Sequence, residues 1–229
     1  MIVSNVDKYF YEDRVFKTHF LSALSSTFKD GESFFMKSIT AYLDDCPEFK
    51  DRIIQFCKEE RTHTEWHMSL NRKLDHLNTN TALQDLEKAT GVFLSSLNKL
   101  PKIYKLLITE SLEHVTYCLC KTAIEEKEFE YLTSDAKTVF LKHSIEETGD
   151  SHSSIARDIY KKVGGNKIIR KFSIFPIILV LAFVITKYII YLYSKNKDFN
   201  LDDLVVSSKE LFGKYGWVRK AIKETMKTW

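Results

Sequence analysis

The chain has 229 residues with a formal net charge of +3, seven Gly and three Pro. That length holds one sizeable core, or one domain with an appended segment, and so few Gly and Pro argue against an all-β or loop-rich fold. The basic residues are dispersed, with local excess only in 161–171 and 209–227, so nothing resembles a nucleic-acid-binding stripe. Cys46, Cys57, Cys118 and Cys120 form no CxxC pair, which weakens disulfide and zinc-ribbon readings and favours a reducing compartment. The opening stretch MIVSNVDKYFYEDRVF is too polar for a signal peptide. The expected location is therefore cytoplasmic, with association to the inner membrane as the open variant.

Apolar residues recur with a period near 3.6 almost throughout, and period-two alternation is absent, which predicts an all-α fold. An irregular or helical start runs to Phe28. A helix follows over 29–45 with Asp30-Gly31 at its opening. Pro47 suits the first turn of a helix over 48–77. A shorter helix covers 78–97, and Pro101 opens another over 102–126. Ser134-Asp135 is the expected N-cap of a helix running from 134 to 163, which VGGN (163–166) ends. Residues 172–193 are apolar except for Ser173, Pro176, Thr186 and Lys187, close to the roughly 20 residues that span a bilayer. Lys167, Arg170 and Lys171 precede that run, and Lys195 and Lys197 follow it. It is either a membrane-spanning or interfacial helix, or a core helix wrapped by others. A last amphipathic stretch covers 201–228. The expected division is a helical bundle in 1–165 and an apolar plus amphipathic appendage in 166–229, packed on the bundle or on a membrane.

Four of these helices carry ligand-type residues where the apolar pattern calls for core. In CKEERTHTEWH, Glu60, His63 and His67 lie on the buried stripe that continues from Ile53 and Phe56. A buried carboxylate is costly unless a cation or strong donors meet it. Glu-x-x-His puts a carboxylate and an imidazole one turn apart on one face, the spacing of dimetal carboxylate bundles. Glu32 adds a carboxylate in DGESFF, ESLEH adds Glu110, Glu113 and His114, and KHSIEETGD adds His143, Glu147 and Asp150 on one face. His67 either binds metal or hydrogen-bonds to a residue that does. Glu110 and His114 stand in the same position, with a packed core histidine as the plainer reading of His114. Tyr42, Cys57, Trp66 and Tyr117 either border a pocket or simply pack.

The segments LSALSSTFKDGESFF, EERTHTEWH, ESLEHVT and HSIEE resemble the hallmark segments of a bacterial predicted metal-dependent hydrolase family, a ferritin-like group. The resemblance extends through ARDIY, the apolar run and ELFGKYGWVRK, nearly the whole chain. The ligand order is more distantly similar to that of p-aminobenzoate N-oxygenase type di-iron enzymes. The resemblance implies a ferritin-like four-helix core and metal ligation by Glu32, Glu60, His63, Glu113, His143 and Glu147. One departure is plain. Asp150 stands where a second Glu-x-x-His would place its histidine, and Gly149 loosens the helix so that His152 becomes the alternative ligand.

Carboxylate-rich sites without thiolate suit iron, then manganese, better than zinc. The expected cofactors are two divalent ions. The expected reaction is either O2-dependent oxidation of a small organic or lipid-like substrate, with electrons from an external donor, or metal-assisted hydrolysis of an ester or amide. A non-catalytic, membrane-associated metal-binding protein is the third reading. Oligomeric state is not legible.

Overall fold

A computed structural model describes residues 3–149 and 154–229. The all-α expectation is met; among the described residues, the β content is an isolated bridge between Tyr11 and Leu132.

The first helix, α1 (Val15–Thr40), begins well before the expected start at residue 29. Asp30-Gly31, a breaker pair by composition, sits in its interior. A Cβ added at Gly31 would meet nothing within 4 Å, so this glycine leaves open space beside the helix instead of starting it. A short 3-10 turn at Pro47–Phe49 leads into α2 (Lys50–Leu77). The next helix, α3 (Ala82–Leu97), is capped from outside: the buried Asp75 carboxylate on α2 accepts the backbone N–H groups of Leu83 and Gln84 at 2.8 and 3.0 Å. Pro101 precedes α4 (Lys102–Glu125).

The expected helix over 134–163 is two helices, α5 (Ser134–Glu147) and α6 (Ile155–Lys162). The N-cap of α5 is Thr133, one residue before the expected pair. Asp135 instead accepts from the backbone N–H groups of Ser4 and Asn5 at 2.7 and 2.9 Å, tying the N-terminal segment down. The apolar run lies in α7 (Lys167–Asn196), whose Asn166 cap accepts from Ile168 and Ile169. The last stretch divides into α8 (Leu201–Phe212) and α9 (Trp217–Thr228). Gly213 and Gly216 make the turn between them, and a side chain at either would collide with backbone of α8.

Helices α1, α2, α5 and α4 pack in a closed ring, each against the next. Against this ring, α3 covers α1 and α2, α6 and α9 cover α4, and α8 lies on α1. Buried apolar residues form two clusters. One contains Phe20, Leu70, Leu74 and Phe140; the other contains Phe34, Ile39, Phe56 and Leu106. Burying each such side chain contributes about 1.5–3 kcal/mol. On α1 and α2 the two clusters are separated by a polar belt, and the candidate ligands occupy it.

Helix α7 lies along α1, α3 and α4. Ile174, Ile185, Ile189 and Leu192 face inward, while Phe172, Phe175, Leu179 and Phe183 are exposed. Only 11% of its most apolar 18-residue window is buried. That corrects the wrapped-core-helix reading: α7 is long and apolar enough to cross a membrane, and it sits at the surface.

Candidate metal centre

Glu32 on α1, Glu60 and His63 on α2, Glu113 on α4, and His143 and Glu147 on α5 are all buried, each at 3% exposure or less. Two overlapping trios share His63: Glu32, His63 and His143, and Glu60, His63 and Glu147, with ligand-type atoms within 4.8 Å of one another in each. Glu113 faces the same cluster and feels the charges of Glu147 and Glu32. The Thr64 hydroxyl donates to Glu32 Oε2. Glu32 Oε1 and Glu113 Oε2 are buried without a hydrogen-bond partner among the described residues. Buried carboxylate oxygens left open beside neutral imidazoles fit a cation as the missing partner.

The hydrogen-bond network assigns the tautomers of His63, His67 and His143. Asn71 Nδ2 donates to Glu87 Oε1 at 2.9 Å and to the Ser25 carbonyl, which fixes its amide so that Oδ1 accepts from Ser25 Oγ at 2.7 Å. With its proton committed, Ser25 Oγ must accept from His67 Nδ1–H at 2.9 Å. His67 Nε2 then accepts from His143 Nδ1–H at 2.7 Å, so the lone pair of His143 Nε2 faces Glu147 Oε1 at 3.0 Å. Two acceptors at that distance require a proton or a metal ion. On the solvent side, Glu146 accepts from His63 Nε2–H at 2.8 Å, turning Nδ1 toward Glu147 Oε1 at 3.6 Å. An N–H held on one ring nitrogen, with the lone pair aimed inward on the other, is how metal-binding imidazoles are oriented.

Electrostatics agree with the geometry. Burial first, and neighbouring carboxylates second, hold Glu60 and Glu113 well above the ordinary carboxylate range; burial does the same for Glu32 despite the Thr64 hydrogen bond. Burial lowers His63 and His143 to about 3 and holds His67 well below its usual value. Neutral imidazoles are the form that binds metal.

The remaining candidates fall elsewhere. His67 orients His143 rather than offering a free nitrogen. Glu110 faces away from the cluster: Arg170 Nε donates to it at 2.7 Å, and Arg157 lies 3.6 Å away. His114 packs on the Trp229 ring and shares a hydrogen bond with Thr228 at 3.0 Å. Both were polar residues on a buried face, and the arginine and tryptophan that satisfy them are remote in sequence. Asp150 and His152 lie outside the described residues; α5 itself stops at Glu147. Sequence reasoning missed Glu146, Ser25, Asn71 and Glu87. Small polar residues in helices carry no signal of their own.

Removing the clamp on the His143 tautomer tests it. Asn71→Leu is expected to weaken metal affinity about 10–100-fold, read by competition with a chromophoric chelator. Unchanged affinity would mean that the relay has no hold on His143.

An apolar cavity of about 310 Å³ abuts the centre, with Glu32 and His143 in its wall and α7 along one side. Its aromatic residues include Phe28, Phe93, Phe140 and Trp217. Tyr42, Cys57, Trp66 and Tyr117, weighed as pocket wall or packing, do not line it; Tyr42, Cys57 and Trp66 pack in the core.

Fold and site together define an all-α protein whose helical ring encloses a buried carboxylate–histidine centre suited to metal. The model of one family, described as predicted metal-dependent hydrolase, matches residues 1–229, and the chain belongs to that family. No curated protein and no solved structure matches the chain.

Proposed function

We propose that the protein is a dimetal enzyme, with iron as its metal, that uses O2 to oxidise an apolar organic substrate. The observation that carries this reading is the donor set: four carboxylates and two imidazoles from four ring helices, converging in one buried cluster. That count matches dimetal carboxylate bundles, and hard oxygen donors with imidazole favour iron or manganese over zinc. When bound, the ions supply the redox chemistry that O2 activation requires. The protein's part is to hold Glu32 and His143 at the wall of an apolar cavity, through which an organic substrate would reach the centre. Reducing equivalents come from an external donor, because no flavin fingerprint occurs in the sequence. A second reading, hydrolysis of an ester or amide, is favoured by the family's description.

The two separate cleanly. Protein loaded anaerobically with Fe(II) is expected to hold roughly two ions per chain and to show a transient visible absorbance when O2 is admitted. Turnover of an ester or amide by zinc- or manganese-loaded protein without O2 would replace the oxidative reading with the hydrolytic one.

A further inference from the structure

We propose that the cavity beneath α7 is the binding site for the hydrocarbon chain of a long-chain fatty acyl compound. The proposal rests on the metal reading in one respect, that the acyl head group lies against Glu32 and His143.

The wall is built from Leu24 and Phe28 of α1, Leu112 of α4, Val180 and Val184 of α7, and Trp217 of α9. Its hydroxyls are largely committed elsewhere. Thr27 donates to the Leu24 carbonyl, and Thr90 pairs with Tyr188 at 2.8 Å. A sugar, nucleotide or peptide placed there would leave its own polar groups unmet, at a cost that an alkyl chain does not incur. One polar group in the wall is unmet: Glu32 is 2% exposed, and its Oε1 has no hydrogen-bond partner among the described residues. A ligand that fits is apolar along its length and polar at one tip.

A second apolar cavity of about 330 Å³ lies on the other flank of α7 and shares Leu24, Leu119 and Leu181 with the first. Apolar space thus lies on both flanks of α7, with these three leucines as a shared partition, and each cavity is at the small end of the roughly 300–1,000 Å³ range of ligand pockets. Gly31 marks the same void, since a side chain there would project into open space.

The test uses full-length, metal-loaded protein and the fluorescent polyene fatty acid cis-parinaric acid. Saturable binding is expected, displaced by oleate and not by hexanoate. Gly31→Phe fills the void from α1 and is expected to weaken binding by about tenfold or more, because several methylenes lose their site. Gly31→Ala is expected to bind as wild type does. Val180→Trp fills the void from α7 and is expected to repeat the loss should Gly31→Phe fail to fold. Absence of saturable binding by the wild type overturns the proposal, as does unchanged affinity in the bulky variants. Metal content is measured on the same samples. Chain binding by protein that holds no metal would remove the metal reading and leave this one standing, and metal without chain binding would do the reverse.

Discussion

Glu60→Gln is expected to empty the metal centre and, at the same time, to stabilise the metal-free protein. Glu60 is fully buried on α2, and its carboxylate lies in the field of Glu113, Glu32 and Glu147. Glutamine keeps the shape and removes the charge. With one of the four carboxylates neutral, the centre loses both a ligand atom and part of the attraction that holds a divalent ion. Metal content should fall from near stoichiometric to background. In the absence of metal the same carboxylate is a liability, because burial and like charges both oppose it. Its removal is expected to raise metal-free stability by about 1–3 kcal/mol, and each kcal/mol moves Tm by about 2–4 °C at this chain length. Metal analysis and thermal unfolding of both forms at pH 8 read the two effects. A metal-free variant less stable than the metal-free wild type would show that Glu60 serves the fold and not the centre.

The metal-free wild type should lose stability as pH rises above about 6.5, whereas the metal-loaded protein should not. Glu32, Glu60 and Glu113 all have folded-state values raised above the ordinary 4.5 by burial. Between 4.5 and those raised values the folded chain keeps protons that the unfolded chain has released, so folding weakens with rising pH. His63 and His143 act in the opposite sense. Their folded values near 3 lie below the ordinary 6.5, so they remove stability as pH falls below 6.5. The two groups oppose each other at acid pH, and the carboxylates act alone above it. With His67 also lowered by burial, three imidazoles offset three carboxylates between about pH 4.5 and 6.5, so metal-free Tm should be flat there, fall as pH drops below 4.5 and fall as it rises above 6.5. Bound metal takes the place of the protons and binds more tightly as pH rises. At free metal about 100 times Kd, each site adds about 2.7 kcal/mol. Scanning calorimetry across this range, with and without metal, checks it, and parallel curves for the two forms would contradict the buried-carboxylate account.

The ring helices and the six converging side chains were legible because they broke a pattern. Glu60, His63, Glu113 and His143 stand where an amphipathic helix needs apolar residues, and such violations call for a partner. The pattern alone did not separate these from Glu110 and His114, which also violate it but are satisfied by Arg170 and by the last turn of α9; the family resemblance favoured Glu113 over Glu110, and the packed-histidine reading of His114 holds. Nothing local announces a partner about sixty residues away. Asp30-Gly31 failed for another reason. Breaker residues signal a helix start on average, yet here tertiary packing carries α1 through them and the glycine opens a cavity. The division of 134–163 into α5 and α6 was not legible, because the apolar period continues across both. The dispute over α7 could not be resolved from composition, since a wrapped helix and a surface one carry the same residues.

The placement of the polar belt between two apolar clusters has a kinetic consequence. Helix ends fray and surface loops open at little cost, but the middle of a ring anchored on both sides opens only with most of the fold. Glu32, Glu60, His63 and Glu113 lie inside α1, α2 and α4, so fraying at the end of α5 would loosen only His143 and Glu147 and leave an ion held by the other four. Exchange of such an ion would be slow, so the supply of metal while the chain folds would weigh in its selection alongside the donor set.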